Sequence, residues 1–250
     1  MKHSTDVLND DTVRPETVVA QARIVSAQEW QVADPRLIAQ QYQKTRERVV
    51  GLLADPDADW TAPVATCPGW SVRDVVAHLA AVAEDISAGT LTGAPTDEQT
   101  AAQVARFDGH DHEGIVAAWT AAAGRLDRNA AASGVAPPLA DAVCHEHDVR
   151  HALGRPGARD SDAVWSATEQ LLTMLVTPRP LRVIVEDAEY VSGPDGPDEV
   201  MLRTTRFEAV RWRTGRRSRA QLAAMNWSDD PTEVLDHLYL FGPARRDIAE

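Results

Sequence analysis

Two cysteines, Cys67 and Cys144, are all that 250 residues carry, so no disulfide framework can staple this chain. Staples are not needed at this length, which suffices for one large domain or two modest ones, each with an adequate interior. The N-terminal stretch MKHSTDVLNDDTVRPE lacks the apolar core of a signal peptide. With so little cysteine, the expectation is cytoplasmic residence with both thiols reduced. Long hydrophobic runs are also missing. VVAHLAAVA and LLTMLV fall far short of the roughly 18 to 20 residues that cross a bilayer, so no membrane span is expected. Excess positive charge is lacking as well: the formal net charge is −13, and an acidic surface repels phosphate backbones, which disfavours general nucleic-acid binding. There is no internal repeat, and the sequence carries no signal for oligomeric state.

Against those absences stands a strong helical pattern. Residues 1–34 are polar, acidic and weakly periodic, and read as a flexible arm or peripheral helix. From Pro35 a helix is predicted, with Leu37, Ile38, Tyr42, Val49, Leu52 and Leu53 near one stripe. A CPGW loop follows, and Ser71 opens a second helix, with Asp74 three residues on completing a variant capping box. At about 100° per residue, Val72, Val75, Val76, Leu79, Val82, Ala83 and Ile86 share one wide stripe, and His78 sits at its edge. A partly helical connection leads to a third helix in IVAAWTAAAGRLDRNAAA. PPLADAVCHEHDVRHALG forms a fourth, and SDAVWSATEQLLTMLV a fifth capped by Ser161 or Asp162.

After Pro178 and Pro180 the texture changes. LRVIVEDAEYV and EVMLRTT are β-branched runs joined by the turn formers of SGPDGPD, a hairpin pattern. FEAVRWRTG, RAQLAAMNW and PTEVLDHLYLF then read as short helices. The expected fold is mostly α with an α+β tail, partitioned into an arm at 1–34, a helical domain at 35–178 and a small α/β domain at 179–250.

The chemistry sits on the second and fourth helices. One helical turn stacks residues i and i+4, so two such side chains can reach one ion, with a third ligand supplied by a neighbouring helix. Spacing on the fourth helix offers two pairs, Asp141/His145 and His147/His151, on opposite flanks of a stripe formed by Leu139, Ala142, Val143, Val149 and Leu153. Either pair can combine with His78. Mixed carboxylate and imidazole donors suit zinc, with nickel, iron and manganese also compatible. For His147 and His151 the preferred reading is a surface or helix-end role, favoured by the helix dipole.

CPGWSVRDVVAHL, followed by D-x-x-x-H-x-x-D-x-x-x-A-x-G in DAVCHEHDVRHALG and by TGRRSRAQLAAMNWSDDP, resembles the DinB-like, mycothiol-dependent maleylpyruvate isomerase family of actinobacteria. The likeness runs over roughly residues 35–250. It implies an N-terminal four-helix bundle that binds a divalent metal, usually zinc, through a histidine on the second helix and a Glu-x-x-x-His pair on a later one. Those positions match His78, Asp141 and His145. Asp141 stands where the family has glutamate, and His147 where relatives commonly have tryptophan. The resemblance further implies mycothiol as the thiol co-substrate and a small electrophilic partner, with isomerisation or S-transfer as the outcome.

Cys67, in a Cys-Pro-Gly turn, and Cys144 read as structural, packed as small apolar groups. The cluster Arg211, Arg213, Arg216, Arg217 and Arg219 reads either as solvated arginines balancing an acidic chain or as a carboxylate clamp. By resemblance, Arg216 and Arg217 are the positions expected to contact cofactor or substrate. Two other function classes stay open at this stage: a non-catalytic metal-binding or regulatory module, and a metal-dependent hydrolase with water as nucleophile.

Overall fold

Asp34 opens the first helix, its carboxylate accepting from the Arg36 amide at 2.9 Å, and Pro35 supplies a φ already suited to the first turn. In the computed structural model, which describes residues 23–24 and 34–250, this helix, α1, spans Pro35–Leu53. The arm predicted over 1–34 otherwise lies outside the described residues, apart from a two-residue strand, β1 (Arg23–Ile24). Ile38, Tyr42, Thr45, Val49 and Leu53 bury one stripe of α1. Leu37, expected on that stripe, is instead 48% exposed, because one residue back from Ile38 is about 100° around the helix.

The capping box at the second helix forms as expected. Ser71 Oγ accepts from the Asp74 amide while Asp74 Oδ2 accepts from the Ser71 amide at 2.8 Å, fixing the start of α2 (Val72–Ala88). A short α3 (Asp97–Ala105) lies in the connection, and α4 (His112–Ser133) runs to Gly134. Helices α1, α2, α4 and α5 (Leu139–Ala152) pack as a four-helix bundle. Ala77, Ala80, Ala81 and Ala83 of α2 and Ala122 and Ala123 of α4 are buried, and side chains this small let the two helices approach closely. Trp119 of α4 is fully buried, and its indole N–H donates to the Tyr42 hydroxyl at 2.9 Å, so the one polar atom of a large core side chain is satisfied. Glu146, also fully buried, takes Arg48 at 2.5 and 2.8 Å and Arg150 at 3.0 Å, tying α1 to α5.

Helix α6 (Asp162–Thr173), capped by Ser161, lies on α5 and α1. It contributes Leu171 to the bundle core and Leu172 to a second core formed with the C-terminal elements. There the hairpin expected between the two β-branched runs is replaced by a different pairing. The first run divides at Glu186–Asp187 into β2 (Leu181–Ile184) and β3 (Glu189–Ser192), which pair antiparallel around a turn closed by Val185 N–H to Ala188 C=O at 3.0 Å. β4 (Val200–Arg203) then crosses to the far side of β2 and pairs with it in parallel. The acidic pair sits at the turn, where the Glu186 carboxylate accepts from the Arg206 amide at the start of α7 (Arg206–Arg213). With β5 (Asn226–Trp227) the sheet order is β1-β3-β2-β4-β5.

RAQLAAMNW is helical only as α8 (Arg219–Ala223) before it becomes β5, and PTEVLDHLYLF holds only a 3-10 turn at Leu235–His237. α7 bridges the two cores: Phe207 and Val210 face the bundle, while Ala209 and Trp212 face the sheet side. Gly215, with φ of +81°, ends the following turn where a Cβ would stand 2.5 Å from the Gly242 carbonyl oxygen. Among the described residues no helix is long and apolar enough to cross a membrane.

Candidate functional site

Residues 63–71 form a pinned loop. Val64 N–H donates to Trp70 C=O at 2.9 Å and Trp70 N–H to Cys67 C=O at 3.0 Å, with Gly69 at φ +89° making the turn. This geometry sets the Trp70 ring 5.3 Å from the His78 ring and, nearly parallel, 6.4 Å from that of His145. His78 comes from the middle of α2, and Asp141 and His145 from successive turns of α5.

These three side chains converge. His78 Nε2 lies 3.7 Å and His145 Nε2 3.5 Å from the same atom, Asp141 Oδ1. Donors placed tetrahedrally 2.0–2.1 Å from a zinc ion stand roughly 3.3 Å apart, so little movement brings these atoms onto one ion. Asp141 Oδ2 is buried without a hydrogen-bond partner, and both histidines are almost fully buried. Two imidazoles, a carboxylate and an unused acceptor make a donor set that fits a divalent metal. Burial opposes charge on Asp141, but the polar edge of the His78 imidazole, 3.7 Å away, and the positive field of the Arg216 guanidinium hold its carboxyl below the ordinary range. Burial likewise lowers His145, which keeps its imidazole neutral and able to coordinate. Asp141 therefore reaches the pair of histidines despite being one carbon shorter than glutamate.

Among the described residues one other group can hold an ion, Cys67, His145 and Asp148, which shares His145 with the first. It suits a cation less well. Asp148 Oδ2 already accepts from Arg216 at 2.8 Å, and burial together with the Asp148 charge pushes the Cys67 thiol up to about 12, so it stays protonated. His147 and His151 belong to neither group. His147 is not the surface residue expected from sequence: its ring packs edge-on against Phe207 at 4.8 Å, and burial depresses its pKa to about 3.

That burial gives a pH prediction. His147 is neutral when folded and takes a proton below about 6.5 when unfolded, so its stabilising effect is complete above that pH. The effect is lost at up to about 1.4 kcal/mol per pH unit as pH falls toward 3. Denaturant melts between pH 7 and pH 4 should fall less steeply for His147→Leu than for the wild type.

The arginine cluster divides. Arg216 lines the cleft above the site, near Cys67 Sγ at 3.7 Å, and its Nε has no partner. Arg217, expected beside it, is instead bound by both Glu208 oxygens at 2.7 Å and by Glu250 at 3.1 Å, and does not line the cleft. Adjacent residues on a turn point apart. The solvated reading of the cluster fails for Arg211, Arg213, Arg216 and Arg217, all of which are buried or nearly so; only Arg219 is solvated, paired with Asp236. Cys144 is structural as expected, buried with its sulfur 3.1 Å from Thr214 Oγ1. Cys67, expected to be a packed apolar group, instead faces the site beside Asp148 and Arg216.

Sequence reasoning gave no role to Trp70 or Asp148. Trp70 closes the CPGW motif and Asp148 is the second aspartate of D-x-x-x-H-x-x-D, three residues after His145, so both were visible as motif letters without a function. The whole site opens into a cleft of about 3010 Å³ that also reaches Ile38, Pro138 and Phe241.

Two solved structures are similar at 16% identity, covering 73% of this chain and 89% of theirs. They are the crystal structure of a mycothiol-dependent maleylpyruvate isomerase, with a TM-score of 0.48, and that of a histidine-to-alanine mutant of such an isomerase, with 0.49. No curated protein matches. The family model for the mycothiol maleylpyruvate isomerase N-terminal domain matches residues 42–163, a span that contains all of His78, Asp141 and His145. Residues 42–163 are thus similar to the mycothiol maleylpyruvate isomerase N-terminal domain.

Proposed function

We propose that this protein is a metal-dependent enzyme that uses mycothiol as its thiol, adding the thiolate to a small electrophile. His78, Asp141 and His145 are its metal ligands. The observation that carries the reading is the convergence of two imidazole nitrogens on one carboxylate oxygen at the wall of a cleft, inside the matched domain. Three protein ligands leave a coordination position open, as a catalytic site requires. A divalent ion held there, zinc by the donor set, supplies the charge that keeps a bound thiol deprotonated.

The chain's own residues define the rest. Asp141 balances positive charge at the site, and Trp70 covers the two imidazoles on one side and limits water. Cys67, held as a thiol, does not compete as a nucleophile. Arg216 places a fixed positive charge in the cleft wall, suited to an anionic group on the thiol or the electrophile. If the thiolate leaves after rotation about the bond it attacked, the product is an isomer; if it stays, the product is an S-adduct.

Thiol titration tests the assignment. Mycothiol binding should be saturable in the metal-loaded wild type and absent in His78→Ala. Binding that is equal in both would reject sulfur at this site and favour the hydrolase alternative. Arg216→Ala should raise the KM for thiol or electrophile while Arg217→Ala acts only on stability.

A further inference from the structure

A fully buried carboxylate beside the site is not a ligand. Asp148 has no exposed side-chain surface, and its Oδ2 lies 3.0 Å from His145 Nδ1, the nitrogen facing away from Asp141, approached off the ring's N–H axis. Two arginines from beyond the bundle hold it. Arg211 Nη2, on α7, donates to Oδ1 at 2.7 Å, and Arg216 Nη2, on the turn after α7, donates to Oδ2 at 2.8 Å.

Arg211 is itself fully buried and does not line the cleft. It donates to the Cys144 carbonyl at 2.9 Å and is gripped by both oxygens of Glu250. Burying these charges costs several kcal/mol per ion before pairing recovers it, and apolar side chains of similar volume would often fill such a space with no loss of stability. What apolar side chains cannot do is place a fixed negative charge against one nitrogen of an imidazole.

We propose that Asp148 and Arg211 are positioning residues for His145. The inference rests on His78, Asp141 and His145 being the metal site. A carboxylate beside Nδ1 favours the tautomer with the proton there, which leaves the Nε2 lone pair directed toward Asp141 and raises its basicity as a ligand. Arg211, donating to Oδ1 at 2.7 Å, fixes the angle of the Asp148 carboxylate. Because Arg211 is carried by α7, the seating of the C-terminal elements against the bundle is linked to how firmly a ligand on α5 is held.

The test is zinc affinity of the full-length, untagged protein, measured by competition with a chromophoric chelator alongside thermal unfolding. Asp148→Asn keeps the shape and removes the charge, and should weaken zinc binding by about 10- to 100-fold. Arg211→Met should weaken it in the same direction, and Arg211→Lys, which keeps charge but not the two-pronged grip, by less. Arg213→Met, which removes another buried arginine of the same helix, should lower the unfolding temperature and leave zinc affinity unchanged.

If Asp148→Asn and both Arg211 variants bind zinc as the wild type does, the positioning role is overturned while the proposed metal site stands. If the wild type binds no zinc, the proposed function fails instead. Nitrogen-15 spectra of histidine-labelled protein without metal then decide the inference separately. An Nδ1–H tautomer at His145 that is lost in Asp148→Asn supports it, and an Nε2–H tautomer in the wild type overturns it.

Discussion

Protein carrying His145→Ala, purified without a histidine tag and reconstituted with zinc, should retain well under one equivalent of metal where the wild type holds one. The expected loss of affinity exceeds the roughly 10- to 100-fold that follows from disturbing a group behind a ligand, because here the ligand itself is removed. Two donors from different helices would remain, His78 and Asp141, and a site reduced to two donors also loses the preorganisation that the α5 turn gives the pair at i and i+4. Turnover should fall with the metal. The fold should survive, since His145 is absent from both hydrophobic cores and its neighbours Val143 and Val149 keep the packing of α5. Helical content by circular dichroism and metal content by elemental analysis separate the two effects. One equivalent of zinc retained by His145→Ala would exclude this residue from the site. Asp141→Glu should behave in the opposite way, retaining metal, because the third donor only lengthens by one methylene.

Those expectations could be formed from sequence because the relevant signals are local. Ser71 and Asp74 announce the start of α2, and once that start is fixed the helical period places His78 at the edge of the buried stripe. The i,i+4 spacing then puts Asp141 and His145 on one flank of α5. What spacing alone left open was the choice between that pair and His147/His151, since both are equally placed on an isolated wheel. The choice depends on which flank faces α2 and which faces α7. In the folded chain Phe207 of α7 occupies the second flank and turns His147 into core.

The site's outer parts were illegible for the same reason. Asp148 acquires its role only when Arg211 and Arg216, more than 60 residues away, fold back onto it, and neither hydropathy nor spacing encodes that contact. Arginines read as solvated by composition are buried because each found carboxylates or carbonyls that the sequence does not place. Strand pairing failed for a related reason. The β-branched runs were correctly found, but whether two runs pair directly depends on where the polar turn falls, and Glu186–Asp187 places it inside the first run.

Arg213→Met should lower stability by about 3 kcal/mol, one of the largest effects of any single change outside the site. Arg213 is 4% exposed, and its guanidinium donates to three backbone carbonyls: Leu171 and Met174 at the end of α6, and Leu238 after the 3-10 turn, each at 3.1 Å. Burial pulls its pKa down to about 10, still high enough to keep the charge at neutral pH. The last carbonyls of a helix have no partner within it and carry the negative end of its dipole, so a cation there is favoured. Methionine fills much of the volume but leaves the Leu171 and Leu238 carbonyls buried and unmatched, at roughly 1–3 kcal/mol each before relaxation and water entry reduce the sum. For a chain of this size a 3 kcal/mol loss corresponds to a fall of roughly 6–12 °C in Tm. Arg213→Lys should recover only part of it, because one ammonium cannot reach carbonyls on α6 and on the C-terminal segment together. Thermal melts of the two variants check the ordering. A methionine variant as stable as the wild type would mean that the cost of desolvating the guanidinium cancels its three hydrogen bonds, and that α6 and the C-terminal segment are joined by the apolar packing of Leu172, Leu175 and Leu238 alone.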